Sequence, residues 1–347
     1  VGLGKTLVAK GVIALAMDHL HKKKINRIDI VYICSNISIA TQNINRLNFT
    51  GIQEFFRPTR LSLLPMHIVG IRKNRVNYVG LTPGTSFDIQ SRDGMVEERA
   101  LIYHLLKGNL DINRAGLRRL LRGRVGKENW QWWTQEWMPE SLDQPACEAF
   151  LNGIASDAAF HQRLKDFCEL SVKDMWRSGD RLNLISELRC RVAEVSVEML
   201  EPDLIILDEF QRFKDLLDHE NPEARLAQRL FQYPGVKTLL LSATPYKMLS
   251  LDHEQEDDHY PDFLKTLRFL FNSDDAVEDI KKEISNFRRS LFLLGSENAT
   301  DISSVRDKLK SQLLRVMCRT ERVGMTQKQD AMLLESEDKP VMHPSDL

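Results

Sequence analysis

Three short apolar runs constrain the fold of this chain more than any other feature of its sequence. The runs are "IDIVYICS", "LIILDEFQ" and "KTLLLSATP", and each of them ends in polar or small residues. Their length and their branched apolar side chains are typical of buried β-strands. Because helix-forming sequence separates them, and strands that alternate with helices form parallel sheets, the sequence predicts an α/β fold with a parallel sheet flanked by helices.

Two further strands are predicted from the same kind of signal. One lies in "RLSLLP", around Leu61 to Leu64, and the other covers Tyr78 to Leu81, where "NYVGLTPGTSF" runs into a Pro-Gly loop. From about Ile89 to Met199 the sequence has helical periodicity and no convincing strand. Strand-helix units take roughly 30 residues each, so this region is predicted to be a large helical insertion.

The composition limits the classes of partner and the compartment. The chain has 48 basic and 49 acidic residues among its 347, so a nucleic-acid surface would be a local patch. No run approaches the roughly 18 to 20 apolar residues of a membrane span, and we expect no membrane partner. The five cysteines are scattered without a CxxC pair, which predicts neither a zinc site nor a disulfide framework and favours a cytoplasmic location.

The chain begins with "VGLGKT", which runs directly into an apolar helical stretch. A phosphate-binding loop needs small residues that let backbone N–H groups approach the phosphates. It also needs a lysine, a hydroxyl that ligates Mg²⁺, and a following helix N-terminus. Gly2, Gly4, Lys5 and Thr6 meet these needs in order and are predicted to bind a nucleotide cofactor. A helix entry with chance glycines is the alternative interpretation.

Adjacent carboxylates, Asp208 and Glu209, follow the second apolar run. Open α/β sheets bind ligands at the carboxyl ends of their strands. At such a place Asp208 would hold Mg²⁺, together with Thr6, and Glu209 would orient and deprotonate the attacking water in nucleotide hydrolysis. Taken alone, the pair is also consistent with an exposed strand end.

Together, "GLGKT", "DEFQ" and "SATP" resemble, in this order, motifs I, II and III of the superfamily 2 helicases and translocases. "VGLGKT" and the later "LLRVMCRTERV" are similar to segments of the Swi/Snf-like branch of that superfamily. The resemblance covers residues 1–84 and 200–247, and more loosely 310–325. It implies a RecA-like P-loop fold, ATP and Mg²⁺ as cofactors, and catalytic roles for Lys5, Asp208 and Glu209.

The resemblance also implies coupling and nucleic-acid contacts. Gln211, Ser242 and Thr244 would couple hydrolysis to movement, although Gln211 gives DEFQ where the family has DEAD or DEAH. "YICSNISIATQNINRL" and "LTPGTSF" stand where the family has motifs Ia and Ib, which face the nucleic-acid backbone. Hydroxyls there would bind phosphates without reading sequence, and the alternative is ordinary turn residues. These candidate phosphate contacts are Ser35, Thr82 and Ser86.

The sequence lacks two parts of the family pattern. The strand before the phosphate loop is missing, and no second RecA-like lobe with its arginine finger follows. We therefore expect the chain to belong to a longer protein whose C-terminal RecA-like lobe is its partner. The isolated chain is expected to bind ATP poorly and to hydrolyse almost none.

The motifs and the changes in sequence character divide the chain into five predicted segments. The two parts of the RecA-like lobe enclose the insertion, and a helical extension and a linker follow. The segments are residues 1–88 (first part of the RecA-like ATP-binding lobe), 89–199 (helical insertion), 200–250 (second part of the lobe), 251–325 (helical extension toward the lobe junction) and 326–347 (linker).

The insertion contains "RAGLRRLLRGRVGKENWQWW", in which arginines are followed by tryptophans. Basic side chains neutralise phosphates and tryptophans stack on bases, so Arg118, Arg119 and Arg122 are candidate nucleic-acid contacts. A partner subunit is the other candidate for this surface. A solvated arginine face with buried tryptophans is the alternative that involves no partner.

Two functions follow from these observations. The first is an ATP-dependent nucleic-acid motor, a DNA helicase or double-stranded DNA translocase, with RNA left open as the track. The second is a catalytically silent, nucleotide-gated DNA-binding or regulatory module of a larger complex with nuclease, defence or repair subunits. The intact Asp208 and Glu209 pair favours the first function.

Overall fold

The computed structural model describes residues 4–48, 55–89, 93–138, 142–217, 222–242, 259–292 and 302–318. They fall into two compact units, Gly4–Thr266 and the chain from Leu267 onwards. Among these residues, no helix combines the length and the apolar character that crossing a bilayer requires. The predicted polar linker at 326–347 lies outside the described residues.

A four-stranded parallel sheet forms the centre of the first unit, in the order β2-β1-β3-β4. Every residue of β1 and β2 is buried, as is β3 up to its last residue, because helices cover the sheet. The α/β class predicted from the sequence is confirmed. The strands are β1 (Ile28–Ile33), β2 (Val76–Leu81), β3 (Leu204–Asp208) and β4 (Lys237–Leu241).

The strand register aligns the carboxyl ends of the four strands. Ile33 of β1 pairs with Leu81 of β2 on one side and with Leu207 of β3 on the other. Asp208 then pairs with Leu241 at the end of β4. The loops that follow the strands therefore leave the sheet side by side along one edge, where open α/β sheets bind ligands.

Two helices pack on one face of this sheet. They cover the alternate residues of β1 that include Ile30 and Tyr32, together with Leu204 and Ile206 of β3. Apolar residues spaced three or four apart on each helix form the buried stripe, as expected of amphipathic helices. The helices are α1 (Lys5–Lys22), which buries Ala9 and Ile13, and α2 (Ile37–Leu47), which buries Ala40, Ile44 and Leu47.

The strand predicted in "RLSLLP" is wrong. Leu61–Leu63 forms a 3₁₀ turn, and Pro65 begins the helix α3 (Pro65–Lys73). A short apolar run cannot be assigned to strand or helix by periodicity alone, and a proline at the first helical position is the signal that favours the helix. The short helix α4 (Pro83–Ser86) follows β2.

The predicted helical insertion is confirmed by seven helices in the described residues between α4 and β3, and residues 93–138 and 142–200 contain no strand. These helices share a large apolar core of their own, centred on α5, which is buried on nearly every side. The helices are α5 (Val96–Leu106), α6 (Arg114–Arg122), α7 (Lys127–Gln135), α8 (Gln144–Ser156), α9 (Ala158–Glu169), α10 (Val172–Arg177) and α11 (Asp180–Leu200).

A 3₁₀ segment, Phe210–Leu217, and the helix α12 (Pro222–Phe231) connect β3 to β4. The helix α13 (His259–Phe271) comes next in the chain. In the second unit, α14 (Asp274–Phe292) packs against α15 (Ile302–Leu313), and Lys308 forms an ion pair of 2.6 Å with Glu283. The helical extension predicted from the sequence is confirmed.

Candidate active site at the sheet edge

Gly4 and the N-terminus of α1 form the first element of the site. Gly4 has a φ of 73°, a left-handed conformation that glycine adopts without steric cost. Among the described residues, no side chain caps the first turn of α1, and this turn contains no acidic residue. Its backbone N–H groups therefore carry the partial positive charge that favours an anion. Gly2 lies outside the described residues.

Lys5 and Thr6 are the first two residues of α1, and both are partly buried. The Nζ atom of Lys5 lies 3.5 Å from Oδ1 of Asp208, the last residue of β3. Both side chains remain partly accessible, at 26% for Lys5 and 15% for Asp208. The fold thus brings together two predicted site residues that are 203 positions apart in the sequence.

The other carboxylate oxygen of Asp208 is held from inside the protein. The Tyr32 hydroxyl donates to Oδ2 at 2.7 Å, and the Asn43 side-chain amide donates to the same oxygen at 3.3 Å. The Asn43 amide also donates to the Tyr32 hydroxyl at 2.9 Å, so the three side chains form a closed triangle. Burial, and next the hydrogen bond to Asp208, raise the pKa of Tyr32 well above its ordinary value, which keeps the hydroxyl protonated.

Glu209 follows directly and leaves the strand direction. Its φ of 56° is in the left-handed region, where the chain turns into the 3₁₀ segment. The Glu209 side chain is 38% exposed and forms an ion pair of 3.2 Å with the exposed Arg212. Gln211 contributes a buried Oε1 atom that has no hydrogen-bond partner in the described part of the chain.

Ser242 directly follows β4 and is partly buried, one residue past the Leu241 that pairs with Asp208. This position is at the same edge of the sheet as Asp208. Thr244, the other residue predicted to couple hydrolysis to movement, lies outside the described residues.

The candidate phosphate contacts after β1 and β2 differ in accessibility. Ser35 is partly buried in the loop after β1, and Thr82 is the N-cap of α4, with its hydroxyl 2.5 Å from that of the exposed Thr85. Ser86 is only 2% exposed, and its hydroxyl accepts the Thr82 backbone N–H at 3.0 Å. The prediction that Ser86 contacts phosphate is therefore not supported by its position, since its hydroxyl stabilises the turn.

The three arginines predicted to bind nucleic acid all belong to α6. Arg118 is exposed, and its guanidinium donates to the Tyr103 hydroxyl at 3.4 Å. Arg119 is partly buried and donates to the Leu170 carbonyl at 3.2 Å, so part of its role is to join α6 to the end of α9. Arg122 is partly buried. Trp130, by contrast, is in the core and packs edge-on against Tyr103 at a centroid distance of 5.8 Å.

The residues at this edge fit a magnesium nucleotide. An uncapped helix N-terminus and a lysine suit phosphates, while a carboxylate and a hydroxyl suit Mg²⁺, which takes few protein ligands alongside substrate phosphates. Within the described ranges, no group of three or more His, Cys, Asp or Glu residues could hold a metal ion by itself.

Sequence reasoning missed two residues of the site, Tyr32 and Asn43. Tyr32 is on the same face of the sheet as Asp208, because side chains alternate along β1 and β3. Asn43 is on α2, one position before the buried Ile44. The available signals were a hydroxyl in the buried strand β1 and an amide next to a buried position of α2, but neither signal reveals which carboxylate these groups contact.

The chain was also compared with known proteins. No protein-family model matches it, and neither a curated protein nor a solved structure matches it at a significant level.

Proposed function

We propose that this chain binds ATP with Mg²⁺ at the sheet edge and hydrolyses it as the first ATPase lobe of a nucleic-acid motor. The observation that carries the proposal is the meeting of Lys5 and Asp208 at 3.5 Å, between a helix N-terminus and the carboxyl end of a parallel strand. A lysine that reaches outer phosphates and a carboxylate that holds their Mg²⁺ must come together in this way in a phosphate-binding site.

In this proposal the chain's own residues divide the work. Lys5 and the backbone N–H groups at the start of α1 bind the phosphates, and Thr6 and Asp208 hold the magnesium. When bound, Mg²⁺ supplies neutralisation of the charge on the phosphoryl oxygens. Lys5 exchanges its ion pair with Asp208 for the phosphates, and this exchange is aided by the partial exposure of both groups.

Glu209 is the proposed general base. It lies next to Asp208, its side chain is 38% exposed, and its ion pair with Arg212 is on an exposed surface. A water molecule can therefore reach its carboxylate, which accepts the proton as the water attacks. The positive φ of Glu209 is at the point where the chain leaves the strand that ends with Asp208.

The nucleic-acid track would run past the loops that follow β1 and β2. Ser35 and Thr82 lie at the same sheet edge as Asp208, and the exposed Thr85 adds a hydroxyl. Hydroxyls and loop N–H groups bind phosphates without sequence preference, as a motor requires. The exposed Arg118 in the insertion offers a second point of contact with DNA, or with a partner subunit.

Replacement of Glu209 by Gln tests the proposed function in the complete protein. We expect ATP turnover to fall by about 10² to 10⁴-fold, the usual contribution of a general base, while ATP binding changes little. Glu201→Gln is the matched control. Glu201 flanks the other end of β3, also has a positive φ, of 49°, and also pairs with an arginine, Arg27, at 2.9 Å. Turnover is measured with and without duplex DNA, single-stranded DNA and RNA.

The outcomes distinguish the two candidate functions. Loss of turnover in Glu209→Gln with normal turnover in Glu201→Gln supports the ATPase. Equal turnover in both variants and the wild type overturns the assignment of the base. Nucleotide binding without turnover in the wild-type complete protein would instead favour the silent, nucleotide-gated module.

A further inference from the structure

The closed triangle of Tyr32, Asn43 and Asp208 holds one of the two oxygens of the Asp208 carboxylate. Tyr32 is 2% exposed. The Tyr32 hydroxyl and the Asn43 amide both donate to the same oxygen of Asp208, Oδ2. The opposite oxygen, Oδ1, faces Lys5 at 3.5 Å. The carboxylate thus has an inner oxygen that is fixed by the protein and an outer oxygen on the side of the phosphate-binding helix.

A neighbouring tyrosine shows that the fold does not require such a hydrogen bond. Tyr78 of β2 pairs in register with Ile30 of β1 and is 1% exposed. Its hydroxyl is buried and has no hydrogen-bond partner in the described part of the chain. The same sheet therefore accommodates one tyrosine hydroxyl without a partner, while Tyr32 has a hydroxyl bound to both Asp208 and Asn43.

Asn43 adds a connection to a different element. It belongs to α2, whose first turn begins just after Ser35, with Asn36 as the N-cap that accepts the Ser38 N–H at 2.7 Å. The helix α2 therefore connects the Ser35 loop to the side chain that donates to Asp208. The Asn43 amide lies 3.3 Å from Asp208 but 2.9 Å from Tyr32, so small shifts alter how the inner oxygen is held.

We propose that Tyr32 and Asn43 are positioning residues for the proposed ATPase, which orient the Asp208 carboxylate for Mg²⁺ and tie that orientation to the helix that follows the Ser35 loop. The inference rests on the proposed function. Groups that orient a metal ligand typically account for about 10 to 100-fold in metal affinity, and a single donated hydrogen bond to a carboxylate is in this class.

The test measures metal binding apart from turnover. The complete protein is mixed with a fluorescent, non-hydrolysable ATP analogue and titrated with Mg²⁺, and Mn²⁺ binding to the same complex is followed by electron paramagnetic resonance. In Tyr32→Phe we expect the Mg²⁺ concentration for half-maximal binding to rise about 10 to 100-fold. Tyr78→Phe, which removes a buried hydroxyl from the same sheet, is expected to leave it unchanged.

A second pair of variants keeps the test decisive where Tyr32→Phe fails to fold. Asn43→Ala removes the amide donor, and Asn45→Ala removes an exposed amide from the same helix. We expect Asn43→Ala to weaken Mg²⁺ binding and to lower the ratio of nucleic-acid-stimulated to basal turnover. Asn45→Ala is expected to do neither, and thermal unfolding of all four variants reports any purely structural effect.

The failure of this inference is distinguishable from the failure of the proposed function. A wild-type protein that shows no Mg²⁺-dependent nucleotide binding overturns the proposed function. A wild-type protein that binds Mg²⁺ and nucleotide, with Tyr32→Phe and Asn43→Ala indistinguishable from their controls, overturns the inference alone. A loss of thermal stability with unchanged metal dependence also overturns it, because it shows that the triangle serves only the fold.

Discussion

Glu98 in the helical insertion and Asp208 at the sheet edge are both held by a cation and by a hydroxyl, yet their surroundings differ. Glu98 and Arg189 are both completely buried, 2.9 Å apart, and the Ser62 hydroxyl and the Met95 N–H also donate to Glu98. The ion pair of Asp208 is longer, at 3.5 Å, and its Lys5 side chain is 26% exposed. A sealed pair with further hydrogen bonds makes a fold rigid and is costly to break, whereas a looser and partly open one is able to exchange its partner for a ligand.

The buried pair also attaches the insertion to the sheet. The remaining guanidinium nitrogens of Arg189 donate to the carbonyls of Asp88, at 2.7 Å, and Ile89, at 3.0 Å. Arg60 donates to the Asp88 carbonyl as well, at 2.6 Å. These carbonyls belong to the segment that follows α4, beyond Thr82. The network in the insertion therefore holds the segment after α4, the short helix whose N-cap is Thr82.

Arg189→Met is expected to have the largest effect on stability, because it leaves Glu98 buried without its cation. Breaking a buried pair in this way costs about 3 to 5 kcal/mol. The measurement is the free energy of unfolding in urea. Arg163→Met is the control, since Arg163 pairs with Glu187 on the surface, where side-chain exposures are 50% and 40% and the expected cost is about 0 to 1 kcal/mol. Equal losses of unfolding free energy in the two variants would contradict the conclusion that burial makes the Glu98 pair costly to break.

Replacement of two glycines tests how closely the helices of the insertion pack. A Cβ atom on Gly116 of α6 would lie 1.7 Å from the Cys168 carbonyl oxygen, whereas one on Gly153 of α8 would meet no atom within 4 Å. Gly116→Ala should destabilise the protein by about 1 to 3 kcal/mol through overpacking. Gly153→Ala should stabilise it by about 0.5 to 1 kcal/mol, because alanine favours the helix.

Thermal and urea unfolding of the two alanine variants give the sign of each effect. A stabilised Gly116→Ala variant would show that α6 and α9 are free to move apart. Such a result would remove the contrast between a closely packed insertion and an open sheet edge.

The parts of the site that could be predicted from the sequence are those that depend on local order. Strands followed by polar residues placed Asp208 and Ser242 at one sheet edge, and the glycine and lysine pattern placed Lys5 at a helix N-terminus. The triangle around Asp208 could not be predicted, because Asn43 lies 165 positions away and alternation gives the face of a strand without its partner strand. The seven-helix insertion separates these segments in the sequence but not in space.

Two other sequence predictions are affected by interactions of different kinds, one local and one tertiary. Ser86 looked like a phosphate contact because it is a hydroxyl in a loop, but it accepts the Thr82 N–H and is buried. Serine hydroxyls near short helices often bond to the local backbone, and only the backbone conformation decides between that bond and an outward position. The Leu61 to Leu64 run likewise became a 3₁₀ turn because tertiary packing, including contacts with α11, overrides a short local preference.

A third carboxylate, Asp29, lies at the opposite end of the sheet and is buried like Glu98. Its replacement gives the smallest expected effect on stability among these predictions. It is 1% exposed, accepts hydrogen bonds from Arg27 at 2.8 Å and Asn77 at 2.7 Å, and lies beside Asp203. Burial raises its pKa to about 6, from 3.8, even though Arg27 and Asn77 act in the opposite direction. Because the folded pKa is the higher one, its contribution to stability is present at low pH and is lost as the pH rises through about 6.

Asp29→Asn should therefore flatten the pH dependence of stability. Between pH 5 and pH 7.5 the wild-type protein is expected to lose about 1 kcal/mol through this one group, and the variant should not show this loss. Asp203, whose pKa burial also raises, adds a loss of the same sign that stays in the variant. Urea unfolding at the two pH values measures the difference. An unchanged slope would mean that Asp29 stays ionised when buried and that its two hydrogen-bond donors outweigh its desolvation.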